Sequence, residues 1–368
     1  MNNLSNIDIL KNLARLPSFQ EDNSQIINYI VSIFENQNID YRLIKNENNS
    51  QLNIIAGLNC NLDTTTQKAI LLCGHIDTVT ANIDKWQTNP FVLAEDNGRL
   101  YGLGVADMKS FSANVLSAIS EFKKYNTPII YALTSDEETI MEGVKAVVKE
   151  LTKLNIQPSY AIIGEPTSSM PYNCNKGFYE TEIKVKGKAC HSSNPNGGIN
   201  SIVAMSQIVN RLNSVSKKLP KTTTLNIGTI SGGTLCNVVP ENCVIRFEIR
   251  TFNKSMLSRI YKSLDQIIEK LKIEYKGIEI EYNLVFEIPP FVKIADKKLN
   301  KVYSKLGGTP NTYMASTEAG FYQDMGAKAV IFGVGDIQNV HKEDEYINIE
   351  EFNSYNQKLF EIIKILEN

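Results

Sequence analysis

The sequence predicts an α/β fold: a mostly parallel sheet flanked by helices, interrupted by a smaller α+β module. Three observations carry this expectation. Strand-like and helix-like patterns alternate up to about residue 165, and such alternation builds a parallel layer. From about Phe178 the order becomes strand-helix-strand-strand-helix-strand, that of a ferredoxin-like unit. After Ile288-Pro289-Pro290 the first texture returns.

Ile7 to Leu16 and Ile26 to Phe34 space their apolar residues as helices do. Ala69 to Cys73 is a short apolar run ending at a glycine, which reads as a buried strand. Phe111 to Phe122 predicts a helix, Ile129 to Leu133 a strand, Val144 to Leu154 a helix and Tyr160 to Ile163 a strand. In the second texture, Glu180 to Lys186 alternates as a half-exposed strand. Asn200 to Val215 is helical. Thr223 to Ile230 and Val244 to Thr251 are strands with Gly232-Gly233 in the turn region between them. Ser255 to Leu271 is helical and Ile278 to Val285 a strand. The tail predicts a helix near Lys297 to Leu306, a strand at Ala329 to Gly333 and a helix over Ile349 to Leu366. The expected domains are therefore 1–176 with 287–368, and an insert over 177–286.

Composition narrows the function classes. A net charge of −2, without a basic stripe, argues against a nucleic-acid partner. No apolar run reaches membrane length, and no export signal is evident at the N-terminus. The six cysteines have no CxxC spacing, so reduced thiols and a cytoplasmic location are expected.

The three histidines each sit in a chemically rich context. His75 and Asp77 end the strand of Gly74-His75-Ile76-Asp77, where a carboxylate can orient a metal-binding imidazole; a polar turn is the alternative. Asp107 follows Gly102 and Gly104 and precedes a helix, so a helix cap competes with a ligand role. Asp136-Glu137-Glu138 follow an apolar strand; they suit either a cation site or the acidic first turn of a helix. Glu165, in Gly164-Glu165-Pro166, has no basic neighbour. His341 follows a strand and a glycine loop, where a surface histidine is the plain reading. Taken together, imidazoles and carboxylates fall at strand ends, where α/β sheets gather ligands. Two histidines with carboxylates and no cysteine suit catalytic zinc or a similar divalent ion rather than a structural cage. Two ions sharing one carboxylate would activate a water, and a free glutamate would take its proton.

These motifs resemble the di-zinc aminoacylase and carboxypeptidase family over nearly the whole chain. The similar segments are Gly74-His75-Ile76-Asp77-Thr78-Val79, Tyr101 to Lys109, Ser135-Asp136-Glu137-Glu138 and Ile163 to Thr167. The resemblance implies two divalent ions, zinc first, with cobalt or manganese as substitutes. Asp107 would bridge them, His75 and Glu165 would hold one, and Glu138 and His341 the other. Glu137 would be the general base, and Asp77 would orient His75. A cis peptide would follow Asp107.

The same resemblance makes residues 177–286 a dimerisation or lid domain and the protein a homodimer. His191, in Gly187-Lys188-Ala189-Cys190-His191-Ser192-Ser193, would reach the partner's active site and stabilise the oxyanion. Asn237 and Arg250 would contact the substrate carboxylate, although Arg250 could equally serve as a surface ion-pair partner. Ser316-Thr317-Glu318-Ala319-Gly320 and the segment Asn339 to Tyr346 are most similar to the branch that deacetylates N2-acetylornithine in arginine biosynthesis, with Glu318 meeting the substrate's ammonium. The expected substrate is a small N-acyl amino acid. A desuccinylase, dipeptidase or carboxypeptidase on the same site, and a non-catalytic binding relative, are the other readings.

Overall fold

A computed structural model describes residues 4–19, 22–65, 68–307 and 311–368. The chain forms two compact units. The first comprises Met1–Cys174, Phe291–Tyr313 and Thr317–Asn368, and the second Asn175–Pro290 with Met314–Ser316.

The first unit begins with α1 (Asn6–Arg15) and α2 (Ser24–Asn36). Ser5 caps α1 in a reciprocal box with Asp8, which satisfies two backbone donors at the helix start. Strands β1 (Asp40–Lys45), β2 (Leu52–Gly57) and β3 (Ala69–His75) follow, then the short β4 (Ala94–Asp96) and β5 (Arg99–Tyr101). Next come α3 (Ser110–Ser117), α4 (Ile119–Phe122), β6 (Ile129–Thr134), α5 (Glu142–Lys153), β7 (Pro158–Ile163) and β8 (Cys174–Asn175), within which the chain passes into the second unit.

The second unit contains β9 (Gly177–Lys186), α6 (Ser201–Ser216), β10 (Thr224–Gly232), β11 (Asn242–Thr251), α7 (Lys254–Glu274) and β12 (Glu279–Ile288). The chain then supplies α8 (Lys297–Lys305), β13 (Thr312–Tyr313), α9 (Ala319–Asp324), β14 (Lys328–Ile331), β15 (Tyr346–Asn348) and α10 (Ile349–Glu367) to the first unit.

The main sheet of the first unit has the order β1-β2-β6-β3-β7-β14. The pairs β6–β3, β3–β7 and β7–β14 are parallel, while β1–β2 and β2–β6 are antiparallel. Every residue of β3 and β6 is buried, as strands covered on both faces require. Their run of Ile, Leu and Ala is thus a burial signal rather than an alternating one. The parallel run β6-β3-β7-β14 is the mostly parallel layer that the sequence predicts, and β1 with β2 adds one antiparallel edge.

The second unit's sheet runs β10-β11-β9-β12, antiparallel throughout, with α6 and α7 supplied by the two crossovers. This is the ferredoxin-like order. Strand β9 alternates buried and less buried residues, so one face meets the core. That core includes Ile183, Ile245, Phe247, Ile208 and Leu264. Asn200 and Asn253 cap α6 and α7 by accepting backbone N–H groups.

Several elements differ from the sequence reading, and the short β4, β5, β8, β13, α9 and β15 are not anticipated. The hairpin of β1 and β2 is not anticipated, because β1 is a polar edge strand whose residues are only partly buried. The helix expected over Phe111 to Phe122 breaks at Ala118 into α3 and α4. Gly232 ends β10 rather than lying in the following turn, where Gly233 takes φ +76°. All six cysteines are free. Among the described residues no helix is long and apolar enough to cross a membrane.

Candidate metal centre

Three neighbouring strands set the site. β6, β3 and β7 lie side by side and parallel, so the residues at their carboxyl ends share one edge of the sheet. That edge carries His75 at the end of β3, Asp136 to Glu138 after β6 and Glu165 after β7. None of the acidic trio begins a helix: α5 starts only at Glu142, and the carbonyl of Asp136 accepts N–H groups from Thr139, Ile140 and Met141. The helix-dipole alternative is thereby removed.

Asp107 arrives from another element. It lies in the turn between Gly104 and α3, with non-helical φ −121° and ψ 91°, and the peptide after it is cis. It does not cap α3, whose first residue follows Lys109 without a side-chain cap. Two glycines let this segment approach the sheet. A Cβ on Gly74 would lie 2.9 Å from Met108 Cε, and one on Gly164 would collide with the Phe111 ring. The residue before His75 and the residue before Glu165 are thus both small where the Met108–Phe111 segment crosses them.

The consequence is a carboxylate between two imidazoles. Asp107 Oδ1 lies 3.0 Å from His75 Nε2, and Asp107 Oδ2 lies 3.5 Å from His341 Nε2. His341 Nε2 also lies 2.9 Å from Glu138 Oε1. Two groups of ligand atoms result, His75 with Asp107 and Glu165, and Asp107 with Glu138 and His341. Within each, one ligand atom per residue lies within 4.8 Å of the others. Asp107 is common to both. Glu137 is in neither group, so it stands beside them uncommitted.

The electrostatics match a cation pair. Burial pushes the Glu137 carboxyl well above its usual range, and the charge of Glu165 adds to the shift. Burial and then the charge of Asp107 do the same to Glu165. Burial likewise raises Glu138, against the lowering effect of His341. Burial also opposes ionisation of Asp107, but hydrogen bonds with His341 and His75 outweigh it and hold its carboxyl low. His341 is raised to about 10, chiefly by its hydrogen bond with Asp107. Burial disfavours a charged His75, but Asp107 and Asp77 outweigh that and raise it well above its usual value. Four crowded carboxylates repel one another unless positive charge joins them. Imidazole and carboxylate donors, with no thiolate among them, fit zinc or another borderline divalent ion.

Asp77 faces His75 from behind. Its Oδ1 lies 3.4 Å from His75 Nδ1, and its backbone carbonyl lies 3.1 Å from the same nitrogen. With Nδ1 so engaged, Nε2 faces the carboxylates.

The remaining candidates lie elsewhere. In the second unit, His191 is exposed and pairs in a β-bridge with Val238; Ser192 N–H donates to the Asn237 carbonyl, which brings His191 and Asn237 onto adjoining strands of chain. Ser193 N–H donates to His191 Nδ1 at 3.2 Å. Arg250 on β11 binds Glu248 at 3.2 Å and lies over the Phe178 ring at 4.8 Å, the ion-pair alternative foreseen for it.

Glu318 lies in the first unit. It is only 2 % exposed, directly before α9, and burial raises its carboxyl to about 8. Three residues near the site are not singled out in the sequence. Glu345 accepts N–H groups from the turn that holds Asp107. Lys109 is buried, and burial lowers its ammonium to about 8. Tyr313 is buried, which raises its phenol well above the usual value, and the charges of Glu165 and Asp107 add to the shift. A glutamate four residues past a histidine, or a tyrosine in a short strand, has no periodicity that singles it out.

A parallel sheet whose strand ends carry two adjoining imidazole–carboxylate groups, with a free glutamate beside them, defines a metal-dependent amidohydrolase. Residues 71–364 match the model of peptidase family M20/M25/M40. The chain belongs to that family. Acetylornithine deacetylase from Aliivibrio salmonicida is 32% identical over 90% of this chain and 88% of its own length. Acetylornithine deacetylase from Buchnera aphidicola subsp. Schizaphis graminum is 30% identical over 93% of each. Among solved structures, a tripeptidase from Staphylococcus aureus superposes with TM-score 0.78 at 21% identity, covering 100% of this chain and 99% of that one. A dinuclear metal-binding peptidase from Bacillus subtilis gives TM-score 0.73 at 17% identity, covering 98% and 97%.

Proposed function

We propose that this protein hydrolyses N2-acetylornithine to ornithine and acetate, as a step of arginine biosynthesis in the cytoplasm. The observation that carries the chemistry is Asp107 standing between the Nε2 atoms of His75 and His341. His75 and Glu165 would hold one divalent ion, Glu138 and His341 the other, with Asp107 shared. Zinc suits the donor set, and cobalt or manganese could replace it. The ions, when bound, supply Lewis-acid polarisation of water and of the amide carbonyl.

The chain's own groups supply the rest. Glu137 takes a proton from the attacking water and returns it to the leaving nitrogen as the C–N bond breaks. Its raised affinity for protons suits a base that must work near neutral pH. Asp77 keeps His75 turned with Nε2 towards the ions. His191 would donate Nε2–H to the developing oxyanion, because Ser193 N–H occupies Nδ1 as an acceptor. Asn237 and Arg250 would receive the substrate carboxylate, Arg250 by exchanging its bond to Glu248.

A homodimer built on the second unit would carry His191 to the partner's site. In support, β10 is an edge strand, and Ile202, Val203, Ile230 and Leu235 expose apolar side chains on that unit. The choice of acetylornithine rests on the names and identities of the curated relatives. A panel of N-acetylornithine, N-acetylmethionine, N-succinyl-diaminopimelate and dipeptides tests it. Preference for acetylornithine in kcat/KM is expected; preference for the succinylated or dipeptide members would replace this substrate assignment.

A further inference from the structure

Glu345 lies four residues beyond His341 and is 3 % exposed. Its carboxylate accepts three backbone N–H groups of one turn. Oε2 takes Gly104 at 2.9 Å, and Oε1 takes Ala106 at 2.7 Å and Asp107 at 3.1 Å. Convergent N–H groups in a turn form an anion-binding hollow. Here a side chain of the same protein fills that hollow. Gly104, at φ +76°, provides the left-handed residue that such a turn needs.

We propose that Glu345 is a positioning residue for the metal centre: it fixes the turn that presents Asp107 and ties it to the segment that presents His341. This rests on the reading of Asp107 and His341 as metal ligands. The two residues contributed to one ion by distant parts of the sequence are then set by a single clamp. Asp344 extends the same anchoring, since its Oδ1 accepts the N–H groups of Gln87 at 3.0 Å and Thr88 at 3.3 Å. The stretch from His341 to Glu345 therefore stitches together two loops as well as offering a ligand. Charged hydrogen bonds to backbone donors are among the stronger kind, so releasing them frees the Asp107 backbone and not merely a surface loop.

Glu345→Ala removes all three acceptors. Glu345→Gln keeps one acceptor oxygen and turns an NH2 donor toward an N–H group. The test titrates metal-free protein with cobalt(II) against a competing chelator and follows the visible absorption of the bound ion. Melting of the metal-free variants is measured alongside, with kcat and KM at saturating cobalt(II). Both variants are expected to bind cobalt(II) more weakly, by about 10–100-fold for Ala and less for Gln. Absorption should change in shape, and kcat should fall while KM holds. Folded variants that bind cobalt(II) as tightly as the parent, with an unchanged spectrum, overturn the proposal, even if their melting point drops. If Glu345→Ala does not fold, Glu345→Gln decides on the same criterion. A parent protein that takes up fewer than two ions per chain refutes the metal-pair reading itself, which separates that failure from failure of the clamp.

Discussion

Asp77 and Glu138 are joined by a hydrogen bond: Asp77 Oδ2 accepts the Glu138 backbone N–H at 3.0 Å. The other oxygen of the same carboxylate faces His75 Nδ1. One buried side chain thus spans the end of β3 and the loop after β6, and holds in register residues assigned to different ions.

This connection predicts the effect of Asp77→Ala. Both the orientation of His75 and the path of the Glu138 backbone lose support. Metal affinity should fall by about 10–100-fold, the range for partners that orient a ligand. Metal content after dialysis against graded chelator measures it; unchanged retention would remove Asp77 from this role.

Glu137→Ala should separate binding from chemistry. Glu137 belongs to neither ligand group, so the variant should load two ions per chain by elemental analysis. Turnover should fall by at least about 10²–10⁴-fold, the usual contribution of a positioned base. Wild-type turnover in the loaded variant would transfer the base role elsewhere.

Asp107→Asn preserves shape and removes the charge shared by both ligand groups. Uptake of both ions should weaken together, whereas His341→Ala should weaken only one, since His341 belongs to a single group. Isothermal titration of the metal-free protein distinguishes one lost site from two. Loss of a single ion in Asp107→Asn would show that the carboxylate is not shared.

Gly164→Ala tests the steric route by which Asp107 reaches the strand ends. The added methyl meets the Phe111 ring, which is itself fully buried. Overpacking of this kind costs about 1–3 kcal/mol. Chemical denaturation should register that loss together with weaker metal retention. A variant as stable and as metal-loaded as its parent would mean that the ring moves freely.

Glu318→Gln should change the pH dependence of stability. An unfolded glutamate ionises near 4.5 and the folded one near 8, because burial disfavours its charge. Between these values the native chain retains a proton that the unfolded chain has lost. The associated stability is complete below about pH 4.5 and is lost as pH rises through about 8. Glutamine has no proton to lose, so the variant should gain on the parent as pH rises across that window, by an amount on the order of a few kcal/mol. Parallel melting curves at every pH would contradict this.

The legible part of the site lay in residues whose neighbours along the chain announce them. His75, Glu138 and Glu165 follow apolar runs that could only be buried strands, and parallel strands bring their ends together. Glu345 and Lys109 were not legible, because their importance comes from groups distant in sequence: Gly104 and Asp107 lie more than 230 residues before Glu345. The burial of Glu318 was not legible for a related reason. Only packing shows its carboxyl enclosed beside Thr134, Cys73 and Tyr322. The hairpin β1–β2 escaped because an edge strand needs little apolar patterning when one side pairs and the other meets solvent.

By itself, the amino-acid order determined the alternation of strands and helices, the inserted strand-helix-strand-strand-helix-strand module and the placement of acids and imidazoles at strand ends. These depend on local periodicity and on which side chains tolerate burial. Tertiary structure alone decided the distances at which Asp107 stands between His75 and His341, that Glu345 holds its turn and that Glu318 is sealed from solvent. Those relations require backbone segments far apart in the chain to meet at hydrogen-bonding distance, and no periodicity along a sequence encodes a distance across a fold.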